Sequence, residues 1–405
     1  MFLLSPETQL ALQTLNDAGF EAYLVGGCVR DYLLGVTPTD IDITTSAKPD
    51  EIKAAFCNYM TIDTGIRHGT VTVLINHQAF EITTYRVDVG YSDGRHPDEV
   101  RFTASLYEDA ARRDFTVNAM AYHPDAGVID YFNGRDDLAT GVIRCVGDPV
   151  RRFGEDALRM LRALRFAATL GFSIDPATSA ALRRQKHLLS QVSAERVTAE
   201  LCKLLIGKNA GEVLRQQLTV LAAYLPELEH LDPDMTGALL RRLPQVLHLR
   251  LSGLLIRLSL PKGLAVLERL RLTNKVKQSS SALLTLYHKR YSIDKHSLRF
   301  QLFQFGVSTV LDCYTLMAEV RAIADDSLGA NDARRAIMQV QAILDNNECY
   351  NKETLALRGA DLAEFGLVGA EINDMLMHLV YEVLNEHLEN TREALLAYLR
   401  KRLHK

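Results

Sequence analysis

Leu24-Val25-Gly26-Gly27-Cys28-Val29-Arg30-Asp31, followed closely by Asp40-Ile41-Asp42-Ile43, sets the terms for everything else in this chain. In the second piece two carboxylates sit two apart in a β-branched apolar run. Strand side chains alternate faces, so Asp40 and Asp42 are expected on one face and Ile41 and Ile43 toward a core. Two hard-oxygen ligands at that spacing suit Mg2+, which takes few protein carboxylates and keeps its other positions for water and substrate phosphates. In the first piece an apolar run from Ala22 to Val25 ends in Gly26-Gly27, where backbone can approach a ligand closely, and a helix then opens with Arg30 in its first turns. A lone Gly-Gly is usually a tight turn and a lone Asp-x-Asp a solvated strand edge. Strand, Gly-Gly, helix with Arg and carboxylate strand in close succession point instead to phosphoryl-transfer chemistry.

At 405 residues the chain exceeds what one hydrophobic core supports, so two or more domains are expected. No apolar run reaches ~18 residues, and Met1-Phe2-Leu3-Leu4 is soon followed by Glu7 with no basic segment or cleavage site, so neither a membrane span nor a signal peptide is expected. Six cysteines (Cys28, Cys57, Cys145, Cys202, Cys313, Cys349) lack CxxC spacing, which argues against a zinc site and a disulfide scaffold and suits a reducing cytoplasm. The net charge of −4 exerts no global pull on nucleic acid, so any such binding must come from local basic patches.

Residues 5–18 read as a helix opened by Ser5-Pro6-Glu7, with Leu10, Leu12 and Leu15 on its apolar face. A short helix is expected over 49–56, then a hairpin of 69–75 and 79–85 about Asn76-His77. In the second arm Phe80 and Ile82 share one face and Glu81, Thr83 and Tyr85 the other, which leaves Glu81 as either a third carboxylate beside Asp40 and Asp42 or a charge on a solvated face. The polar stretch 86–103, with Gly90, Gly94 and Pro97, reads as one long loop, and loops of that length tend to be functional. Helix is expected over 106–113 and again in the segment carrying Asn118. Arg112-Arg113 between them could clamp a triphosphate or complement a helix dipole. A strand over 128–131 and a turn at Asn133-Gly134 close the first domain near residue 140.

Beyond that point the pattern is helical. Glu155 to Phe166 reads as one helix with acids in its first turn, and Asp156, Arg159 and Arg162 fall at i, i+3 and i+6 on roughly one face. That face is either an ion-paired helix start or, beside a phosphate site, an acceptor and a donor able to match the edges of cytosine and adenine. Residues 176–405 give amphipathic helices with breaks at Asp232-Pro233-Asp234, Leu260-Pro261-Lys262 and Ser279-Ser280-Ser281. Recurring basic residues, Arg241, Arg242, Arg250, Arg257, Lys262 and Arg269 among them, suit either a backbone-binding surface or ordinary solvated faces. No closely spaced His-Asp pair suggests a second, metal-dependent phosphohydrolase site.

These motifs resemble the class II template-independent tRNA nucleotidyltransferases, the CCA-adding enzymes, a family that includes bacterial poly(A) polymerases. Gly26, Gly27 and Arg30 with Asp40 and Asp42 resemble the family's first motif and its metal-binding carboxylates, and Glu81 in Glu81-Ile82-Thr83-Thr84-Tyr85-Arg86 its third acidic position. Arg112-Arg113-Asp114-Phe115-Thr116-Val117-Asn118 is similar to the motif that contacts ribose and triphosphate, with Arg113, Asp114 and Asn118 as nucleotide-binding residues. Glu155 to Arg159 resembles the base-reading motif, in which Asp156 and Arg159 act as a protein template for CTP and then ATP, and Arg162 and Arg165 match further basic residues of that helix. The likeness extends through Ser193-Ala194-Glu195-Arg196 and more loosely through Glu268 to Lys275 and Arg358 to Leu362, while Gly366 to Ile372 departs from the Pro-Gly form common in the tail.

The resemblance implies an α+β chain: a small polymerase-β-like sheet domain, the nucleotidyltransferase head (1–140), then an all-helical neck (141–205), body (206–330) and tail (331–405) that binds tRNA. It implies a two-metal in-line displacement with Mg2+ on Asp40 and Asp42, tRNA as partner, and CTP and ATP as substrates. The loop over 86–101, with Asp88, Arg95 and Arg101, disfavours an enzyme that adds only CC, and the short C-terminal end disfavours poly(A) tailing. A-only addition, a small-molecule nucleotidyltransferase and a catalytically silent RNA-binding protein remain as competing readings.

Overall fold

Residues 2–90 and 99–403 are described by the structure, a computed structural model. Helix α1 (Pro6–Asp17) opens where the Ser5 hydroxyl accepts a hydrogen bond from the Thr8 amide at 3.2 Å, with Pro6 in the first turn. Its buried face is Thr8, Ala11, Leu12 and Leu15, at i, i+3, i+4 and i+7. Leu10, expected on that face, is 38% exposed because it falls two residues out of that register.

Strand β1 (Ala22–Val25), helix α2 (Gly27–Leu33), strand β2 (Asp42–Thr45) and helix α3 (Pro49–Ala55) follow. Strands β3 (Met60–Gly65), β4 (Thr70–Ile75) and β5 (Gln78–Thr84) add one side of a sheet. After the ribbon β6 (Arg86–Val89) and β7 (Glu99–Phe102) and helix α4 (Leu106–Ala111), strands β8 (Ala121–His123) and β9 (Gly127–Ile129) add the other. The sheet has seven strands in the order β3-β4-β5-β2-β1-β8-β9. Its central pairs are antiparallel β1 and β2, with Leu24 opposite Ile43, and parallel β2 and β5, with Asp42 opposite Glu81. Leu24, Ile43, Phe80 and Ile82 are buried behind it.

The expected hairpin is present. Asn76 (φ 48°) and His77 (φ 68°) both take left-handed backbone, the two-residue type I′ turn whose twist matches that of the strands, and Ile75 pairs with Gln78 across it. The stretch expected as one long loop is instead partly ordered: Arg86 to Val89 pair with Phe102 to Glu99 in an antiparallel ladder. Neither strand buries a continuous face, so alternation was too weak to mark it. Gly94, Arg95 and Pro97 lie outside the described residues.

The first unit continues through helices α5 (Gly134–Thr140), α6 (Pro149–Glu155), α7 (Leu158–Leu170), α8 (Pro176–Gln185), α9 (Ala194–Leu205) and α10 (Ala210–Ala222), with a short parallel pair β10 (Val142–Ile143) and β11 (Ser173–Ile174). Helix α7 packs on α9 and α10, and its Leu161, Leu164 and Ala168 are buried. This unit spans Met1–Glu229 and a second spans His230–Lys405.

The second unit is helical among the described residues, beginning with α11 (Pro233–Arg242), α12 (Leu247–Leu255), α13 (Leu260–Arg269) and α14 (Asn274–Lys289). Two of the expected breaks are helix starts: the Asp232 carboxylate accepts the Asp234 and Met235 amides at 2.9 and 3.3 Å, and Pro261 sits in the first turn of α13. Ser279-Ser280-Ser281 is no break. It lies inside α14, where Ser280 is fully buried and its hydroxyl donates to the His248 carbonyl at 3.4 Å, so small size rather than turn chemistry explains it. Arg250, expected among surface cations, is 3% exposed and donates to the Leu243 and Pro244 carbonyls.

Because His77 holds a left-handed conformation that glycine adopts without steric cost, His77→Gly should stabilise the hairpin by about 0.5–1 kcal/mol. Urea unfolding measures it, and a lowered midpoint would contradict the turn assignment.

Candidate active site

Strand β1 ends at Val25, and the chain swings into α2 through Gly26 at φ 76°, ψ −133°, a region closed to residues with a Cβ. A Cβ there would also stand 3.1 Å from Nη1 of Arg113 and 3.8 Å from Oδ2 of Asp42. The glycine turn, the first carboxylate of β2 and an arginine that follows α4 meet on one cavity of about 500 Å3. Asp40 and Asp42 line it with Gly26 and Gly27. Asp42 begins β2, but Asp40 lies in a bend before the strand rather than within it, a shift from the expected strand pair. Burial of Ile41 and Ile43 keeps the alternation that turns both carboxylates the other way.

Glu81 does not line the cavity, yet it is the parallel register partner of Asp42, so the two side chains leave the sheet on the same face. Burial pushes the Asp42 carboxyl above its ordinary range, the Arg113 charge opposes this, and the Glu81 and Asp40 charges add to it. A half-buried carboxylate beside two others is a site that favours a cation. Among the described residues no three His, Cys, Asp or Glu side chains already form a closed metal-binding set. Two hard carboxylates on an open cavity fit a divalent ion that draws its other ligands from water and substrate phosphate.

The opposite wall is built from arginines. Arg30 is buried, and its Nη1 donates to Oδ1 of Asn118 at 2.7 Å while Nε and Nη2 donate to Oδ1 of Asp31 at 2.9 and 2.8 Å. Arg112 and Arg113 leave the end of α4 and share the fully buried Asp109, at 2.8 and 3.4 Å. Burial raises the Asp109 carboxyl, but the two guanidiniums outweigh it and hold the group below its ordinary range. Arg112 also faces Asp88 of β6 at 3.7 Å, whereas Arg101 pairs with Glu99 on its own strand.

Asp114 is largely buried at the cavity wall. Its Oδ2 accepts Nε and Nη2 of Arg162 at 2.8 and 2.7 Å, and its Oδ1 accepts the Phe115 amide at 2.8 Å and Nδ2 of Asn118 at 3.4 Å. Burial alone would raise this carboxyl; the Arg162 charge and hydrogen bond, with Arg159 beyond, hold it low. Asn118 sits in a 3-10 turn, Thr116–Asn118, rather than a second helix.

The expected single helix over 155–166 is two. Helix α6 ends at Glu155, Asp156 is extended at φ −147°, ψ 107°, and α7 starts at Leu158. Asp156 therefore does not share a helical face with Arg159 and Arg162. Its Oδ1 accepts the Leu158 amide at 3.0 Å and its Oδ2 accepts Nη2 of Arg196 at 2.8 Å. Arg159 donates to Oε2 of Glu155 at 2.6 Å, and Arg152 donates to the same oxygen at 2.7 Å. Arg159, Arg162 and Arg165, one helical turn apart, line the cavity with Phe166, while Asp156 does not. Arg165 is braced by Glu200 of α9 at 2.5 Å. Sequence reading passed over Asp109, Glu200 and Phe166. Asp109 could have been found at i−3 and i−4 from the two arginines; Glu200 and Phe166 carry no local signal.

Three family models match the chain: "Poly A polymerase head domain" over residues 22–144, "Probable RNA and SrmB- binding site of polymerase A" over 171–231, and a tRNA nucleotidyltransferase domain 2 over 252–399. The chain is 40% identical over 390 residues to a CCA-adding enzyme of Levilactobacillus brevis, covering 95% of each chain. It is 37% identical over 402 residues to a CCA-adding enzyme of Leuconostoc citreum, covering 98% of this chain and 96% of that one. In structure it is similar to the Bacillus stearothermophilus CCA-adding enzyme in complex with CTP, with a TM-score of 0.74, 34% identity and 98% of each chain covered.

The Asp114 contacts set a pH signature. A carboxylate held below its unfolded value adds stability that is complete above about pH 4, declines as pH falls toward the folded value and is gone beneath it. Asp114→Asn should cost about 1–3 kcal/mol at pH 7, with the gap to the unsubstituted protein closing only below about pH 4. Chemical denaturation across pH checks this, and a gap that vanishes near neutrality would contradict it.

Proposed function

The chain belongs to the CCA-adding enzyme family, and on that footing we propose how its own residues carry out the family's reaction: the template-independent addition of C, C and A to the 3′ end of tRNA from CTP and ATP, with release of diphosphate. The observation that carries the site assignment is the two-signed cavity, with carboxylates on the sheet wall and arginines on the helix wall. A nucleoside triphosphate attacked by a hydroxyl needs both: a cation beside the acids and neutralisation of its phosphate charge.

In this reading Gly26 and Gly27 let backbone close on the triphosphate, and Arg30, Arg113, Arg162 and Arg165 take up its charge, the guanidinium fork being suited to paired phosphate oxygens. Asp114 and Asn118 orient Arg162 and Arg30 and lie at the ribose side. Asp156 and Arg159 supply an acceptor and a donor to the base edge; Glu155 steadies Arg159, and Asp156 reaches this role by turning from Arg196 toward the cavity. Members of this family use a divalent cation, and Mg2+ is the ion we assign to Asp40 and Asp42, with Glu81 adding charge alongside. Bound there, it would lower the pKa of the attacking 3′-hydroxyl and neutralise the departing diphosphate. We assign the head to 1–140, the neck to 141–205, the body to 206–330 and a tRNA-binding tail to 331–405. No described helix is long and apolar enough to cross a membrane, and all six cysteines are free, in keeping with a cytoplasmic setting.

Asp42→Ala should lower incorporation of labelled CTP into a tRNA transcript by about a thousandfold or more, since several kcal/mol of charge stabilisation are lost. Its tRNA band shift should stay near that of the unsubstituted protein. Turnover retained in the variant would overturn the metal assignment.

A further inference from the structure

We propose that Phe166 is a positioning residue of this site, its ring gathering Arg30, Arg162 and Arg165 so that three like charges stay convergent on one polyanionic ligand. The guanidinium carbon of Arg165 lies 3.8 Å from the ring centroid, and those of Arg30 and Arg162 each lie 5.3 Å from it. All three fall within the range over which the negative face of an aromatic ring attracts a cation. Arg30 comes from α2 and the other two from α7, so the ring is the element they have in common.

Three guanidiniums around one point repel one another. Burial disfavours the Arg165 cation, Glu200 favours it, and the Arg162 charge disfavours it further. Arg30 is braced by Asp31, Arg162 by Asp114 and Arg165 by Glu200, which also stands 3.9 Å from Arg162. None of these acids pairs with all three guanidiniums. A carboxylate in the ring's place would do so, but it would cancel the charge that the triphosphate must meet. An alkyl side chain would fill the volume without attraction. An aromatic ring attracts cations while carrying no net charge, so the arginines keep their full charge for the ligand.

The ring is itself pinned. Phe166 is 5% exposed and meets the fully buried Phe115 edge-to-face, with centroids 5.7 Å apart and planes at 78°. Phe115 follows Asp114, so the residue that braces Arg162 and the residue that braces the ring are adjacent in the chain. Phe166 also lines the cavity.

The inference rests on the nucleotide-addition reading, and the experiment separates the two. Phe166→Leu, Phe166→Tyr and Phe153→Leu are compared with the unsubstituted protein by steady-state CTP addition to a tRNA transcript and by calorimetric CTP binding. Phe153 is a fully buried ring of α6 that does not line the cavity, so its variant reports the effect of a weakened core alone. Loss of addition by the unsubstituted protein would count against the function, while CTP binding would still read the role of Phe166. Phe166→Leu should raise KM and Kd for CTP about tenfold with kcat within about threefold, and Phe166→Tyr should stay within about twofold of the unsubstituted protein. Phe153→Leu should lower Tm without moving KM. An unchanged KM and Kd in Phe166→Leu, an equal rise in the Tyr variant, or the same rise in Phe153→Leu would overturn the proposal.

Discussion

The site depends on one ion pair, Asp114 with Arg162, whose acid is largely withdrawn from water while its arginine stays open to the cavity. A carboxylate so withdrawn needs a charged partner and satisfied hydrogen bonds, and Asp114 has both on its two oxygens. Because Arg162 belongs to α7 and Asp114 to the turn after α4, the pair joins that turn to the helix that carries the basic wall. The same carboxylate accepts from Asn118, and Asn118 accepts from Arg30. One acid thus sets the direction of two arginines on different elements.

Neither wall of the cavity is content alone. Asp42 is raised by burial and by its acidic neighbours, and Arg165 is lowered by burial and pressed by Arg162. In the proposed reading a divalent cation on one side and a triphosphate on the other would relieve both together, because the ligand's own charges are paired as the protein's are. Substrate binding would then complete an electrostatic arrangement that the fold holds open. Gly26 makes the turn at the end of β1, beside Arg113 and Asp42, at a positive φ that residues with a Cβ rarely adopt.

Much of this was legible in the sequence. The hairpin was announced by two β-rich runs about Asn76-His77, and the facing of Asp42 by Ile41 and Ile43 on either side of it. Local signals failed wherever the determining partner is distant. Asp156 read as the first turn of a helix because Leu158, Leu161 and Leu164 keep their period and no glycine or proline marks a stop; its extended backbone is set with Arg196 forty residues on. Glu200, which braces Arg165, is likewise visible only once α7 and α9 are packed. The β6 and β7 ladder was missed for a different reason: neither strand buries a continuous face, so neither carries a hydrophobic period. The roles of individual residues toward ribose, base and metal came from the family resemblance, since spacing alone left Glu81, Arg113 and Asp156 with bland alternatives.

The central claim is that this cavity builds a fixed three-nucleotide end with no nucleic-acid template. The most direct measurement is product length on a sequencing gel, from tRNA transcripts that end before CCA, after C and after CC, given CTP, ATP or both with Mg2+. The account predicts growth of the shortest transcript by three nucleotides and then a stop, with ATP used only after both cytidines are in place. Extension of the CC-ending transcript alone, or an unbroken ladder with ATP, would contradict it.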